Sequence, residues 1–243
     1  MNHERIVCIM IKQTIELKVV RLHSEDDEDQ YPVLASKYYP DVYRSVRQLT
    51  KHHDMYILQD DGLYKHLRFK SPETSIGQFD IITWPGYLVI VGDIGSGYVF
   101  TADLNMMEWF RYGSGQISPY YWIGKLPSSI NVLTDFSINK FKKYLNRQAE
   151  DLAEELGLDI AVVQYSIMQE LENTYISDER DAFDFVSGLT YNGYSLDYTP
   201  EEAVEGWMDF KASYLVACHA IAWAARMYHK YKVSDEFDLP QLM

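Results

Sequence analysis

Short β-branched and aromatic runs, broken by turn residues, fill the chain from Met55 to Thr101. FDIITW (Phe79–Trp84) and YLVIV (Tyr87–Val91) suit a pleated, packed surface, and the Trp84 ring is expected inside it. Pro85–Gly86 between them predicts a tight turn, because proline presets one central φ and glycine accepts a positive φ at the next. A second glycine turn, Gly92–Gly97, leads to YVFT (Tyr98–Thr101) and completes a β-meander. Upstream, MYILQ (Met55–Gln59) and LYKHLRFK (Leu63–Lys70) flank Asp60-Asp61-Gly62, a hairpin signal. Ile6–Leu22 opens apolar and then alternates, as a strand or hairpin with one wet face does. A helix from Val42 to about Lys51 is expected with Asp41 as its cap. Five strands in succession with short connections imply an antiparallel sheet.

Beyond Thr101 the period changes. Thr101 is expected to cap a helix over Ala102–Arg111, with Leu104, Met107 and Phe110 on its inner face. Tyr112–Ser129 reads as a connector anchored by Tyr120, Tyr121 and Trp122. Helices follow over Ile138–Leu156 (inward Phe141, Leu145, Leu152 and Leu156), Ile160–Glu172 and Asp178–Leu189. Thr199 and Pro200 signal another helix start, and a last helix runs from Ala203 or Trp207 to Tyr231. Its run Leu215–Trp223 is apolar nearly all round, the mark of a buried helix. Sheet first and helices after give an α+β fold: an antiparallel meander region over residues 1–130, then an acidic helical region over 131–243, packed on the first.

The motifs HLRFKSP, FDIITWPGYLVIVGDIGSGYVF, DLNMMEWFR and SPYYWIGKL, with ACHAIAWAARMY near the other end, carry a resemblance. Together they resemble a family of uncharacterised phage and prophage proteins, from Leu63 to the C-terminus. The resemblance implies a bacteriophage setting and transfers no catalytic residue.

Charge sharpens this picture. The formal net charge of the 243 residues is −14. Between Glu150 and Asp209 stand 16 acidic residues and a single base, Arg180, whereas the rest of the chain has 20 acids against 21 bases. Helices ordinarily mix signs, because Glu–Lys pairs one turn apart help them form. A one-signed stretch repels itself, and a basic partner would relieve that. No apolar run approaches the ~20 residues that span a bilayer, so no membrane is expected as a partner. Cys8 and Cys218 sit in apolar contexts and read as buried thiols of a reducing cytosol.

Candidate chemistry is sparse. His52-His53-Asp54 is the densest set of ligand-type residues, but His66, His219 and His229 do not complete a metal spacing, so no metal is expected. The Gly92–Gly97 turn leads into a strand rather than a helix and lacks a following Lys-Ser or Lys-Thr. It is not a phosphate loop, and no cofactor is expected. Cys218 and His219 point about 100° apart on one helix and cannot form a nucleophile–base pair with each other. Asp80 and Asp93 flank the meander, with Asp93 expected to bond its own turn.

Nothing here amounts to an enzyme signature. The expectation is a cytoplasmic, phage-type binding or inhibitor protein acting in the host cell. Its acidic helical surface, through Glu170, Glu172, Asp178, Glu179, Asp181, Asp184, Glu201, Glu202, Glu205 and Asp209, would engage the basic, nucleic-acid-binding surface of a host protein such as a defence complex, without touching nucleic acid itself. The alternatives are an enzyme acting on a nucleotide or nucleic acid around His52, His53, Asp54, His66 and Asp93, and a phage assembly protein.

Overall fold

Alternation along the strands decides how the sheet packs. In the computed structural model, which describes residues 18–22, 39–95, 97–111, 117–127, 133–195 and 206–237, six strands pair antiparallel, each with its neighbour in sequence. They are β1 (Lys18–Val20), β2 (Asp54–Asp61), β3 (Tyr64–Lys70), β4 (Phe79–Trp84), β5 (Tyr87–Gly92) and β6 (Tyr98–Thr101). The register sets Phe69 opposite Phe79, and Leu67, Ile81 and Ile90 in one row. These residues, with Met55, Leu88 and Phe100, are fully buried on one face. The other face carries His66, Arg68, Asp80, Ile82, Trp84 and Val89.

The expected meander and hairpin form as anticipated, and the fold is α+β. The Pro85–Gly86 turn is present with Gly86 at φ 81°. The Asp60–Gly62 turn is tighter than expected: the strand continues through Asp61, and only Gly62 and Leu63 turn.

Helix α1 (Pro40–Thr50) begins two residues earlier than expected. Tyr39 occupies the N-cap with φ 53°, and no side chain caps it. Proline at the first helical position supplies the start instead. Asp41 pairs with Arg44 rather than capping. The helix predicted from Ala102 also shortens. Thr101 ends β6, where its N–H and hydroxyl reach the Lys125 carbonyl at 2.8 and 3.2 Å. Helix α2 (Met106–Arg111) starts after Asn105, whose side chain accepts the Glu108 N–H at 3.3 Å. Leu104 therefore lies outside the helix and is exposed, while Met107 and Phe110 are buried. Helix α3 (Pro119–Ile123) packs Trp122 edge-on against Phe110, and Phe110 edge-on against Phe100.

In the chain's second half, β7 (Thr134–Phe136) is followed by α4 (Ile138–Leu156), α5 (Ile160–Glu172), α6 (Glu179–Gly188), the two-residue strands β8 (Thr190–Tyr191) and β9 (Tyr194–Ser195), β10 (Met208–Phe210) and α7 (Ala212–Phe237). The chain forms two compact units. One joins Met1–Pro127 to Ser213–Met243, and the other is Ser128–Ala212.

The sheet unit thus includes the last helix, which the sequence had grouped with the acidic region. The reason is packing: Trp223 of α7 meets Phe69 and Phe79 at 5.3 and 6.2 Å between ring centroids. At its start Tyr214 meets the Tyr98 ring of β6, and further on the Tyr228 hydroxyl donates to Asp60 of β2 at 2.7 Å. The helix therefore crosses the buried face from β6 towards β2. Lys65, buried beside it, is neutralised by Asp60 at 3.0 Å.

The helical unit closes around Trp207, which lies before β10 and not at the start of the last helix. Phe141, Tyr144 and Phe183 meet its ring edge-on at 5.0–5.2 Å. Ser137 caps α4, Gly157 ends it at φ 62°, and Asp159 caps α5. Strands β7 and β10 pair antiparallel, joining the two ends of the unit.

Candidate functional site

Seventeen acidic and six basic side chains fall in the helical unit, Ser128–Ala212. Most of the chain's net charge therefore belongs to one compact body. Its apolar stripe is spent on the Trp207 core, which leaves the charged positions of α4, α5 and α6 facing solvent.

The predicted acidic residues divide into three groups. Glu170 and Glu172, at the C-terminal end of α5, and Asp184 on α6 are exposed, and among the described residues none makes an ion pair. Anions at a helix C-terminus oppose the helix dipole by ~0.3–1 kcal/mol each, so helix stability does not explain Glu170 or Glu172.

A second group builds local structure. Asp178 caps α6 by accepting the Asp181 N–H at 3.0 Å, and Asp181 reaches back to the Ser177 N–H and hydroxyl at 2.9 and 2.7 Å. These bonds from Ser177 hold the Asp181 carboxyl below the usual range. Glu179, half-exposed, adds to the acidic first turn of this helix, where anions are favoured. Asp209 lies in β10 and pairs with Lys140 at 3.1 Å. The third group, Glu201, Glu202 and Glu205, lies outside the described residues.

Exposed apolar side chains accompany the carboxylates. Val162 and Tyr165 on α5 are 55% and 65% exposed, and Tyr175 in the following turn is 86% exposed. Tyr165 and Tyr175 stand among the acidic residues of the sequence. Val162 was not singled out, because α5 is apolar on both sides and its periodicity does not say which side is buried.

The residues of the alternative site fall into two places in the sheet unit. His53 is buried, and its Nε2–H donates to the Gly77 carbonyl at 2.9 Å, while the Gly77 N–H donates to Asp93 Oδ2 at 2.9 Å. Burial pushes the His53 pKa down. Asp93 therefore ties down the loop before β4 rather than only its own turn. His66 lies apart, donating to Asp80 Oδ2 at 2.7 Å, while Arg68 grips the same carboxylate with two bonds of 2.9 Å. Burial alone would raise the Asp80 pKa, but the bonds from Arg68 and His66 outweigh it and hold the group below the usual range.

A cavity of about 510 Å³ opens beside His52 and His53, between α1 and the loop around Ser71–Ile76. Its described lining includes Ser45, Gln48 and Glu73 and no Lys or Arg.

Cys218 is buried in α7, where burial pushes its thiol pKa up, the opposite of an activated nucleophile. His219 is buried next to it, its ring 5.5 Å from that of Tyr43. Cys8 lies outside the described residues.

Among the described residues no three His, Cys, Asp or Glu side chains gather as a metal site, and no helix is long and apolar enough to cross a membrane. No family model, curated protein or solved structure matches the chain.

Proposed function

We propose that this chain is a binding protein of phage type that acts in the host cytoplasm. Its acidic helical unit occupies the basic, nucleic-acid-binding surface of a host protein. The observation that carries this reading is the set of exposed carboxylates Glu170, Glu172 and Asp184, unpaired among the described residues and accompanied by exposed Val162, Tyr165 and Tyr175. Carboxylates held on rigid helices present fixed negative charge where a nucleic acid presents phosphates. Exposed aromatic side chains supply the apolar contact that interface hot spots use. The test is capture of host proteins on the immobilised chain, followed by elution with duplex DNA. Release of a bound protein by DNA and by added salt supports the reading, and retention insensitive to both contradicts it.

The cavity beside His53 favours a second reading, an enzyme or binding site for a small polar molecule. Its described lining holds no Lys or Arg to meet a phosphate, so nucleotides fit it poorly. Unchanged ligand binding and activity after Glu73→Ala and His52→Ala substitution would remove this alternative.

A further inference from the structure

We infer that the solvent face of the α4–α5 hairpin binds a second copy of this chain in an antiparallel, two-fold arrangement. The inference does not rest on the partner reading above, and because both use Val162 and Tyr165, a second copy and a host protein compete for this face.

It starts from the order of charges along α4. Phe141, Tyr144, Leu145, Ala149, Leu152 and Ala153 face the core. On the opposite side, at spacings of three and four residues that share one helix face, stand Lys143, Arg147, Glu150 and Glu154, all exposed. Along this stripe the signs sort completely, with bases in the first half and acids in the second. That order runs against the helix dipole at both ends, since its first turn holds no acid and its last turn no base. Helix formation does not favour such a stripe, so its order calls for something outside the helix.

Helix α5 lies antiparallel beside α4. The Gln164 amide reaches Glu150 Oε1 at 3.0 Å and the Asn146 carbonyl at 3.5 Å, which sets residue 164 level with residues 146–150. The core takes Val163, Ile167 and Leu171. Val162 and Tyr165, on the outer side, are exposed at 55% and 65%, with Leu158 at 38% in the turn before. An apolar strip thus runs beside the charge stripe.

The order of signs identifies the occupant. A stripe of two positive and then two negative positions, read in the reverse direction, is its own complement. A two-fold axis near the level of Arg147 and Glu150 sets Lys143 and Arg147 of each copy against Glu154 and Glu150 of the other. The same axis brings the two Tyr165–Val162 strips together. Isologous contacts of this kind are how most dimers are built. A uniformly basic partner would match only half of the stripe. The 19 residues of α4 make the patch roughly 28 Å long. Two helices of that length bury an area at the low end of specific interfaces, the range of weak and transient contacts.

The experiment is sedimentation velocity on the full chain from about 1 to 200 µM, at low and high salt. Wild type is expected to pass from monomer to dimer across this range, with the midpoint moving to higher concentration in high salt. Lys143→Glu/Arg147→Glu and Glu150→Lys/Glu154→Lys are each expected to stay monomeric. An equimolar mixture of the two should recover a dimer, identified by native mass spectrometry as one copy of each. Tyr165→Asp, at an exposed position, should also remove the dimer with an unchanged circular dichroism spectrum. A wild type that stays monomeric throughout overturns the inference. So do variants that dimerise like wild type, or a mixture that forms no mixed dimer.

Discussion

Asp80 shows how much one strand residue depends on its neighbours. It sits on the less buried face of β4, directly across from Arg68, and receives three hydrogen bonds from Arg68 and His66. Its pKa is held down in the folded state, so it contributes stability that is present above the unfolded carboxylate value of about 3.9 and lost as pH falls through the folded value. Asp80→Asn should cost about 1–3 kcal/mol at neutral pH. It should also flatten the loss of stability below about pH 4. Urea unfolding at several pH values checks both, and an unchanged acid profile would show that the triad carries no linkage.

Trp84 shares this less buried face. Its ring is partly buried and stacks on Tyr87 at 5.1 Å, whereas the sequence placed it in the core. Trp84→Ala should therefore cost only about 1–2 kcal/mol, much of it the lost aromatic pair. Trp223→Ala, inside the sheet–helix core, should cost about 3–5 kcal/mol. The order of the two unfolding midpoints tests which face is buried. A strand's period of two names two faces but does not say which one is covered. That depended on where α7 lands, a contact more than a hundred residues away in the chain.

At the scale of elements, turns were more legible than caps: the two expected caps among the described residues, Asp41 and Thr101, cap no helix. The hairpin glycines, the caps of α4 and α5 and the Gly157 stop all follow from local backbone physics. Gly92 is the strictest position. It has φ 116°, and an added Cβ would lie 2.5 Å from the Gln78 carbonyl oxygen and 2.9 Å from the Phe79 Cα. The obstruction is backbone and cannot rotate away. Gly92→Ala should cost about 3 kcal/mol, against about 1 kcal/mol for Asp178→Ala at the start of α6. Thermal unfolding separates these, and equal shifts would contradict the close approach at Gly92. The start of α2 was misread because Thr101 satisfies a cap pattern while its hydroxyl is already bonded to the Lys125 carbonyl. Sequence shows a donor or acceptor, but not the prior claim on it.

For the molecule as a whole, the concentration of charge in one stretch was legible, and its division of labour was not. Asp178 and Asp181 are bound into a helix start, and Asp209 into an ion pair, while Glu170, Glu172 and Asp184 remain open to solvent. A count cannot tell a capping carboxylate from an exposed one, although the spacing Ser177-Asp178-x-x-Asp181 carried a capping signal. The boundary of the helical unit also needed the structure, because the buried helix that ends the chain belongs to the sheet.

The most direct measurement compares two charge reversals against a captured host protein. One is Glu170→Lys/Glu172→Lys/Asp184→Lys in the helical unit, and the other is Asp61→Lys/Glu73→Lys/Asp103→Lys in the sheet unit. All six positions are exposed, and both triples change net charge by the same amount. Bulk attraction is therefore matched, and fields are screened beyond roughly 8–10 Å at physiological salt. The account predicts that the first triple loses at least tenfold in affinity, about 1.4 kcal/mol, with a weaker salt dependence, while the second stays near wild type. Equal losses, or no loss from the first triple, would contradict it.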